Sequence, residues 1–412
     1  MRDEDSTTEP RAEALLDVAK LREQTPGCAE VVHFNNAGCG LIPAAVLAPT
    51  LEHLALEARI GGYEAAAARA DAVADFYSAT AELIGGTAGN IAFASSATHA
   101  FATALSAIAF AAGDVILTTR NDFVSHQIAF LSLRKRFGVR IVHAPDLPEG
   151  GVDVAAMAEQ MRTYRPRLVA VTHIPTNSGL VQPVEAIGRY CRELELLYAV
   201  DACQSVGQLP LDVEAIGCDI LTATCRKYLR GPRGSGFLYV SDRVLAGEYE
   251  PLFIDMRGAR WVAADRYQPA ESAVRFEDWE FPYATLLGCA AAARYATEVG
   301  VAAGGARARG LAARLRAGLA AVPGVQVLDR GTELGALVTF GLGGWDSGAF
   351  KAALDARRVN SALSFREFAV FDFGDKDIDW CVRLSPHYYN TEEEVDSVVQ
   401  AVGELAAVGA DR

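Results

Sequence analysis

Short runs of β-branched and apolar residues alternate with helical patterns through the middle of the chain, and this alternation constrains the fold more than any other feature. Amphipathic stretches such as Val154–Tyr164 and Val184–Leu194 separate the runs, and the second of these starts just after Pro183. The pattern predicts an α/β fold with a mostly parallel seven-stranded sheet covered by helices on both faces. In such sheets a ligand lies at the carboxyl ends of the strands. The candidate strands are Ile91–Ala94, Val115–Thr119, Arg140–Ala144, Leu168–Thr172, Leu197–Val200, Ile220–Ala223 and Gly236–Val240.

A second pattern starts near Val274, where long helices rich in Ala and Arg replace the alternation. Because 412 residues exceed one ordinary domain, we expect a large ligand-binding domain over residues 41–273 and a smaller α+β domain over residues 274–412. An N-terminal segment, residues 1–40 with a helix over Arg11–Arg22, is expected to pack on the smaller domain. The elements predicted for the smaller domain are helices Leu286–Val299 and Gly304–Val322, strands Val325–Leu328 and Gly335–Gly341, and helix Thr391–Val408, which starts with a Thr-Glu-Glu-Glu capping box.

The composition excludes several classes of partner. A net charge of −14 argues against nucleic acid and against anionic membrane surfaces, both of which bind a basic face. An anionic ligand must therefore be held by local positive groups. The first ten residues are acidic and lack the apolar core of a signal peptide. The longest apolar run, Ala100–Ala112, is interrupted by Thr103 and Ser106 and indicates a buried helix. We therefore expect a cytoplasmic protein.

The cysteines carry no recognisable metal or redox pattern. Eight of them are scattered along the chain without a C-x-x-C pair. In a long chain of a reducing compartment such cysteines are expected to be free thiols, and no zinc motif is present. We expect no metal site.

Lys227 closes an apolar strand that begins at Cys218, and it is followed by a Gly/Pro loop and a second strand. An ammonium group prefers water, so a lysine in this position either ends the strand in solvent or has a partner or a covalent role. The covalent role that fits is a Schiff base to the aldehyde of pyridoxal phosphate (PLP). A nucleotide is a weaker alternative, because the Gly-rich loop leads into a strand and offers no helix dipole for a phosphate.

Asp201 closes the preceding strand, in the run Leu-Leu-Tyr-Ala-Val-Asp. A carboxylate at the end of a buried strand costs desolvation unless it meets a cation or a protonated nitrogen. A pyridinium N–H meets this need, and keeping that nitrogen protonated makes the ring an electron sink. The alternative is a helix N-cap. The occurrence of Asp201 and Lys227 at neighbouring strand ends favours the cofactor.

Three other strand ends carry polar or aromatic groups. The run Ser95-Ser-Ala-Thr-His-Ala opens a helix and offers free backbone N–H groups to a phosphate, although it could equally be a simple helix cap. Phe123 is our choice for the ring that stacks on a flat cofactor, with His126 as the other available ring. The turn His173-Ile-Pro-Thr-Asn follows a third strand and is rich in hydrogen-bonding groups. Convergence at one sheet edge predicts a single site for a ring that carries a phosphate.

Five motifs in this chain together resemble the class V aminotransferase family. Members of that family are fold-type I PLP enzymes, and they include cysteine desulfurases, isopenicillin-N-epimerase-like proteins and kynureninase. The resemblance runs from about Val32 to the C-terminus. The motifs are Asn35-Asn-Ala-Gly, Ser96-Ala-Thr, Asp201-Ala-Cys-Gln, Arg226-Lys-Tyr-Leu-Arg-Gly-Pro-Arg-Gly-Ser-Gly and Arg383-Leu-Ser-Pro-His-Tyr-Tyr-Asn.

The resemblance implies a role for each matching residue. Lys227 would be the Schiff-base lysine, Asp201 the partner of the pyridine nitrogen and Gln204 the contact of the phenolic oxygen. Arg383 would bind the substrate α-carboxylate, and Asn36 is a further candidate for substrate binding. The residue of the turn that contacts the cofactor is Thr176 or its neighbour Asn177, and Phe123 matches the stacking residue of kynureninase-like members. The phosphate would be held by Ala97 through its N–H and by Thr98, Thr224 and Arg226.

Family members are homodimers with both sites at the interface, so the resemblance also implies a homodimer. The segment Arg275-Phe-Glu-Asp-Trp-Glu is our candidate for reaching into the partner's site.

One departure from the family narrows the reaction. Desulfurases carry a nucleophilic cysteine on a loop before the carboxylate-binding arginine, but the stretch Val359–Ala369 contains none, and Cys381 is expected to lie in the core. The chain is most similar to the branch of hercynylcysteine sulfoxide lyase-like C–S lyases. We therefore expect β-elimination from a cysteine S-conjugate, an amino-acid substrate, in specialised metabolism. Transamination and epimerisation stay open as alternatives, since Lys227 can remove the α-proton in each case, and a non-catalytic PLP-binding protein is a weaker one.

Overall fold

The computed structural model describes residues 16–410. The described chain begins with helix α1 (Val18–Glu23) and the short strand β1 (Val32–His33). Three helices follow, α2 (Ala44–Ile60), α3 (Gly62–Ala68) and α4 (Ala70–Ile84). Helix α1 starts later than the helix predicted for Arg11–Arg22, because Asp17 caps it by accepting a hydrogen bond from Lys20 N. Residues 11–15 of that prediction lie outside the described residues.

The centre of the molecule is a mixed, mostly parallel sheet of seven strands, as the alternating pattern predicted. Its spatial order is β2-β8-β7-β6-β5-β3-β4, and only β8 runs antiparallel to its neighbours. All strands except the edge strand β4 are buried along their length, which explains their continuous apolar sequences. The strands are β2 (Ile91–Ala94), β3 (Val115–Thr118), β4 (Arg140–His143), β5 (Leu168–Thr172), β6 (Tyr198–Asp201), β7 (Ile220–Thr224) and β8 (Gly236–Val240).

Helices connect these strands and cover both faces of the sheet. Asp153 and Asp212 cap two of them by accepting hydrogen bonds from backbone N–H groups of the first turn. Two separate apolar cores result, one on each face of the sheet. The connecting helices are α5 (Ala97–Ser106), α6 (Val124–Phe137), α7 (Val154–Tyr164), α8 (Val184–Glu193), α9 (Val213–Ile216) and α10 (Asp242–Ala246).

The C-terminal part begins after an exposed hairpin, β9 (Ala259–Ala263) and β10 (Arg266–Pro269). Its sheet has four antiparallel strands in the order β11-β12-β15-β14. The strand predicted for Gly335–Gly341 starts later, at Val338. The elements are α11 (Tyr283–Val299), α12 (Val301–Ala320), β11 (Val325–Val327), β12 (Val338–Leu342), α13 (Ser347–Asp355), β13 (Val359–Asn360), β14 (Ala362–Phe365), α14 (Val370–Lys376), β15 (Trp380–Leu384) and α15 (Glu392–Ala410).

The predicted domain boundary at residue 274 assigned helix α11 to the smaller domain, but the helix does not pack there. It lies against α2 and α4, and its apolar side chains, including Leu286 and Ala292, belong to the core of the seven-stranded sheet. The helix contains mostly small and apolar residues on all sides, so its sequence did not indicate which core it joins. Within the C-terminal part, α11 therefore packs on the large sheet's core, whereas α12 packs against α15 and the smaller sheet.

The N-terminal segment lies against the C-terminal part. Strand β1 pairs in parallel with β13, and the Arg22 guanidinium forms a 2.9 Å ion pair with Glu394. Helix α15 starts with the predicted capping box: Glu394 N donates to Thr391 Oγ1 at 3.2 Å, and Thr391 N donates to the Glu394 carboxylate at 3.1 Å. The division of the chain into domains otherwise stays a prediction.

Candidate active site

The carboxyl ends of the parallel strands meet at one edge of the large sheet. Asp201, the last residue of β6, is in register with Thr172 of β5 on one side and with Thr222 of β7 on the other. The loop that follows β7 carries Lys227 back over this edge. A Cβ atom at Gly40 would come within 2.6 Å of the Lys227 carbonyl oxygen. The N-terminal segment therefore approaches the lysine loop at a position that only glycine allows.

Lys227 is buried, and its Nζ has no hydrogen-bond acceptor among residues 16–408. Burial lowers the pKa of Lys227, and the charges of Arg226 and Arg383 lower it further, while Cys203 and Asp201 oppose the shift. A buried lysine with a lowered pKa presents a neutral amine more readily than an exposed one. This is the state in which an amine acts as a nucleophile or a base.

Asp201 is buried and accepts a hydrogen bond from the backbone N–H of Cys203 at 2.8 Å. This contact is an Asx-type turn that uses only one carboxylate oxygen. It is not the helix N-cap of the alternative interpretation, because residues 203–208 form turns and not a helix. The second oxygen lies 3.8 Å from Nε2 of His126. His126 was expected as an alternative stacking ring. Instead one face of its ring stacks on Phe101 at a centroid distance of 3.8 Å, and Nε2 faces Asp201.

Thr176 forms hydrogen bonds with two other predicted site residues, Gln204 and Arg383. Its Oγ1 accepts hydrogen bonds from Gln204 Nε2 at 3.0 Å and from an Nη of Arg383 at 3.1 Å. The same Nη donates to the Thr176 carbonyl oxygen at 3.0 Å. Asn177, the alternative to Thr176, is turned away and donates to Asp372 at 2.7 Å. Between the two candidates, the structure brings Thr176 to Gln204 and Arg383.

Three of the residues expected at a phosphate group, Ala97, Thr98 and Thr224, lie at or near the start of helix α5. Ala97 is its first residue, and a Cβ atom at Gly236 would come within 3.0 Å of Ala97 N, so strand β8 approaches the helix end closely. Thr98 is exposed on the first turn. Thr224 is buried, and its hydroxyl donates to the Ser235 carbonyl at 3.2 Å. Arg226 donates to the Gly38 carbonyl oxygen through one Nη.

The contacts of Asn36 do not fit the role in substrate binding that was predicted for it. Its side chain is fully buried, and its amide nitrogen donates to the carbonyl oxygens of Ser385 at 2.7 Å and His33 at 3.3 Å. Its amide oxygen accepts from the hydroxyl of Tyr389 at 2.5 Å. Asn36 therefore holds the N-terminal loop against the C-terminal part. Phe123 is partly buried and meets His126 edge-on, with ring centroids 5.5 Å apart, so stacking on a ligand stays a prediction.

No cysteine lies on the stretch that carries the nucleophile in desulfurases. Residues 359–369 form β13, β14 and a short 3-10 helix and contain no thiol. Cys381 is fully buried on β15, as predicted, and burial raises its pKa to about 12. The partly buried thiols in the described part of the chain are Cys28 and Cys39. Within residues 16–410, no group of three or more His, Cys, Asp and Glu side chains is arranged to bind a metal ion, and no helix is long and apolar enough to cross a membrane.

Comparisons of sequence identify relatives of this chain. The family model described as aminotransferase class-V matches residues 32–398. A probable cysteine desulfurase of Methanothermobacter thermautotrophicus is 29% identical over 333 residues, which cover 80% of this chain and 82% of the relative. A probable hercynylcysteine sulfoxide lyase of Mycobacterium tuberculosis is 28% identical over 406 residues, which cover 98% of this chain and 97% of the relative.

Solved structures share the fold. The apo cysteine desulfurase of Thermococcus onnurineus superimposes with a TM-score of 0.87 at 25% identity, over 96% of this chain and 100% of that one. A variant of C-DES with glycine covalently linked to its PLP cofactor superimposes with a TM-score of 0.83 at 24% identity, over 93% of this chain and 99% of that one.

Proposed function

The chain belongs to the class-V aminotransferase family and is a PLP-dependent enzyme, and from this premise we propose that it is a lyase that cleaves the C–S bond of a cysteine S-conjugate. The support comes from a buried lysine amine with no acceptor, in a site whose substrate side lacks the desulfurase thiol. One of the relatives that span nearly the whole chain is named as a probable hercynylcysteine sulfoxide lyase.

Two unpaired polar atoms and one buried amine test whether the site fits PLP. Gln204 Oε1 and Arg383 Nε are buried without a hydrogen-bond partner among the described residues, and the Lys227 side chain is buried as well. Buried polar groups without partners are rare in native proteins and call for an explanation. A phenolic O–H could donate to Gln204 Oε1, a substrate carboxylate could accept from Arg383 Nε, and an aldehyde carbon could form a Schiff base with the Lys227 amine. The described residues therefore fit the cofactor together with an amino acid.

In the proposed arrangement Lys227 would bond covalently to the cofactor and Asp201 would keep its ring nitrogen protonated. Gln204 and Thr176 would hold the phenolic oxygen, and Phe123 would stack on the ring. The start of α5 would hold the phosphate, because backbone N–H groups and the helix dipole favour an anion there. Its ligands would be Ala97 N, Thr98, Thr224 and Arg226. The positive charge of Arg226 supplies the local cation that a strongly acidic protein needs for an anionic ligand.

Arg383 is the proposed carboxylate-binding residue. Its guanidinium is fixed by Thr176 through one Nη, which leaves Nε and the other Nη for a bidentate contact with a planar carboxylate. This anchor orients the substrate so that its Cα–H bond can face Lys227.

When bound, PLP delocalises the electron pair left at Cα after proton removal. Lys227 Nζ would accept the Cα proton. The electron pair left at Cα would form a Cα–Cβ double bond as the Cβ–S bond breaks, and the departing thiolate would take up the proton held by Lys227 to become the thiol. Reaction of the three-carbon product with water would then give pyruvate and ammonia. Because residues 359–369 present no thiol, the chain lacks the group that captures sulfur from cysteine in the desulfurase relatives.

The proposal is tested by incubating the holoenzyme with a cysteine S-conjugate and measuring pyruvate and free thiol. Equimolar pyruvate and thiol are expected, and a Lys227→Ala variant should produce neither. Conversion of the cofactor to its amine form without pyruvate would favour transamination, and loss of optical activity without either product would favour epimerisation. Both outcomes contradict the elimination.

A second variant distinguishes the proposed lyase activity from a desulfurase activity. With free cysteine as substrate, a desulfurase forms a protein persulfide on an accessible thiol. Cys39 is the partly buried thiol next to the lysine loop, since the neighbouring Gly40 N donates to Arg226 O at 2.8 Å. If the wild-type protein releases alanine and forms a persulfide, and that persulfide is absent in Cys39→Ser, the lyase assignment is overturned. Lyase activity that persists in Cys39→Ser is the expected result.

We also propose a homodimer. The region after α10 exposes a group of large apolar side chains, with Leu252, Phe253 and Trp261 exposed by 66%, 87% and 81%, and such patches usually mark interfaces. In the segment proposed to reach across, Arg275 and Glu277 are buried within the protomer, so only its exposed end at Trp279 is available. Analytical ultracentrifugation should give twice 43.9 kDa. Trp261→Glu should weaken the dimer, whereas Tyr63→Glu, at an exposed apolar position elsewhere, should not. A monomeric wild type would contradict the proposal.

We also propose that the protein is cytoplasmic and that it acts in specialised biosynthesis. All cysteines in the described chain are free, which suits a reducing compartment. Fractionation of cells that express the native protein tests the location, and recovery outside the cytoplasmic fraction would contradict it. Accumulation of a cysteine S-conjugate in a strain that lacks the protein tests the pathway, and an unchanged metabolite profile would argue against specialised biosynthesis.

A further inference from the structure

His126 lies between two buried carboxylates. Its Nδ1 is 3.3 Å from an oxygen of Asp122, and its Nε2 is 3.8 Å from an oxygen of Asp201. The side chains of His126, Asp122 and Asp201 are 4%, 0% and 3% exposed. The three groups form a line that ends at the carboxylate proposed to meet the cofactor's ring nitrogen.

Asp122 is fixed in the charged form by its surroundings. It accepts hydrogen bonds from Thr118 Oγ1 at 2.7 Å, from the Phe123 N–H at 2.8 Å and from Gln127 Nε2 at 3.2 Å. The Thr172 hydroxyl also donates to it. Burial acts to raise the pKa of Asp122, but the hydrogen bond and charge of His126 and the two threonine hydroxyls lower it. A carboxylate with this many donors is a rigid negative anchor.

We propose that His126 is a positioning residue whose positive charge, anchored by Asp122, keeps the proton between Asp201 and the cofactor on the ring nitrogen. The inference rests on the proposed function, because it requires PLP on Lys227 with its ring nitrogen at Asp201. An imidazolium next to Asp201 stabilises the ionised carboxylate and therefore disfavours transfer of the shared proton to it. The ring then remains the stronger electron sink.

Two of the three charged neighbours of His126 favour a charged ring. Burial acts to lower the pKa of His126, but the hydrogen bond and charge of Asp122, together with the charge of Asp201, raise it despite the opposing charge of Lys227. The ring that stacks on it from α5, Phe101, is uncharged. Because Phe101 occupies one face of the ring and both nitrogens face carboxylates, an electrostatic role fits His126 better than stacking on the cofactor.

The test uses holoenzyme loaded with PLP labelled with ¹⁵N in the ring, since the chemical shift of that nitrogen reports its proton directly. In His126→Gln the resonance should move from the protonated toward the unprotonated range. The kcat for elimination should fall roughly 10- to 100-fold, by analogy with residues that hydrogen-bond the ligands of metal sites, with KM unchanged because Arg383 is intact. The matched control is His53→Gln, another buried histidine beside a carboxylate, 3.1 Å from Glu57 on α2. It should keep the wild-type shift and kcat.

A loaded His126→Gln enzyme with the wild-type ring-nitrogen shift would overturn the inference, even if its activity were lower. If that variant does not fold, Asp122→Asn tests the same line from the other end and should shift the resonance in the same direction. A third measurement needs no variant: in wild-type holoenzyme with ¹⁵N-labelled histidine, His126 should carry two ring protons at pH 8, and a neutral ring would overturn the inference. Failure of borohydride to trap PLP on Lys227 would instead contradict the proposed function.

Discussion

Replacing Arg383 by lysine tests the proposed substrate anchor. Lysine keeps the positive charge but cannot present two parallel N–H groups to a carboxylate. In the structure one Nη of Arg383 is already bound to Thr176, so the substrate would be held by Nε and the other Nη. Arg383→Lys should therefore lose one charge-assisted hydrogen bond.

A hydrogen bond to a charged group contributes about 1.5–3 kcal/mol, which corresponds to a loss of roughly 10- to 150-fold in kcat/KM. The assay compares a cysteine S-conjugate with its amide, in which the carboxylate is neutral. Wild-type enzyme should strongly prefer the acid, and Arg383→Lys should lose most of this preference while its visible cofactor spectrum is unchanged.

The reasoning would be refuted by an equal loss for acid and amide, which would indicate general disruption of the site. An unchanged preference for the acid would refute it as well, because the carboxylate would then be bound elsewhere.

Three further predictions concern stability and are read from denaturant unfolding of the holoenzyme. Arg230→Met removes a fully buried guanidinium that donates to Tyr388 and to two oxygens of the N-terminal segment, so unfolding should become easier by roughly 3 kcal/mol or more; an unchanged midpoint would contradict this. Thr391→Ala breaks the capping box of α15 and should cost about 1 kcal/mol, whereas a loss near zero would show that the cap is redundant. Burial lowers the pKa of His173 to about 4, against roughly 6.5 in the unfolded chain. The unfolded state therefore binds this proton first, and stability falls as the pH drops from about 6.5 to 4. His173→Gln should reduce that fall by up to ~3 kcal/mol, and superimposable pH curves would refute the assignment.

The large sheet could be predicted from the sequence because its strands are buried on both faces. Their apolar runs end where polar residues such as Asp201 begin, so each strand end was marked within a residue or two. Helix α11 could not be assigned in the same way. A helix rich in alanine shows no single apolar face, so only tertiary packing shows that it joins the core of the large sheet.

The site shows a similar limit. Lys227 and Asp201 are recognisable because a charged group at the end of a buried strand costs desolvation unless it has a partner or a covalent role. The contacts of His126 and Asn36 depend on side-chain direction, which local sequence does not fix. His126 lies in the first turn of α6, four residues after Asp122, and this short spacing was the available signal for their contact. Its approach to Asp201 joins helix α6 to the end of strand β6 and needed the folded structure. Asn36 lies in a family motif, but its buried amide serves the loop.

The central claim is that Lys227 carries PLP and acts on the Cα proton of a cysteine S-conjugate. The most direct measurement is borohydride reduction of the yellow holoenzyme followed by peptide mass spectrometry, with Lys227→Ala as the control. A phosphopyridoxyl group on Lys227, together with loss of pyruvate and thiol formation in the variant, is the predicted result. Reduction that labels another lysine, or an enzyme that remains colourless after incubation with PLP, would contradict the account.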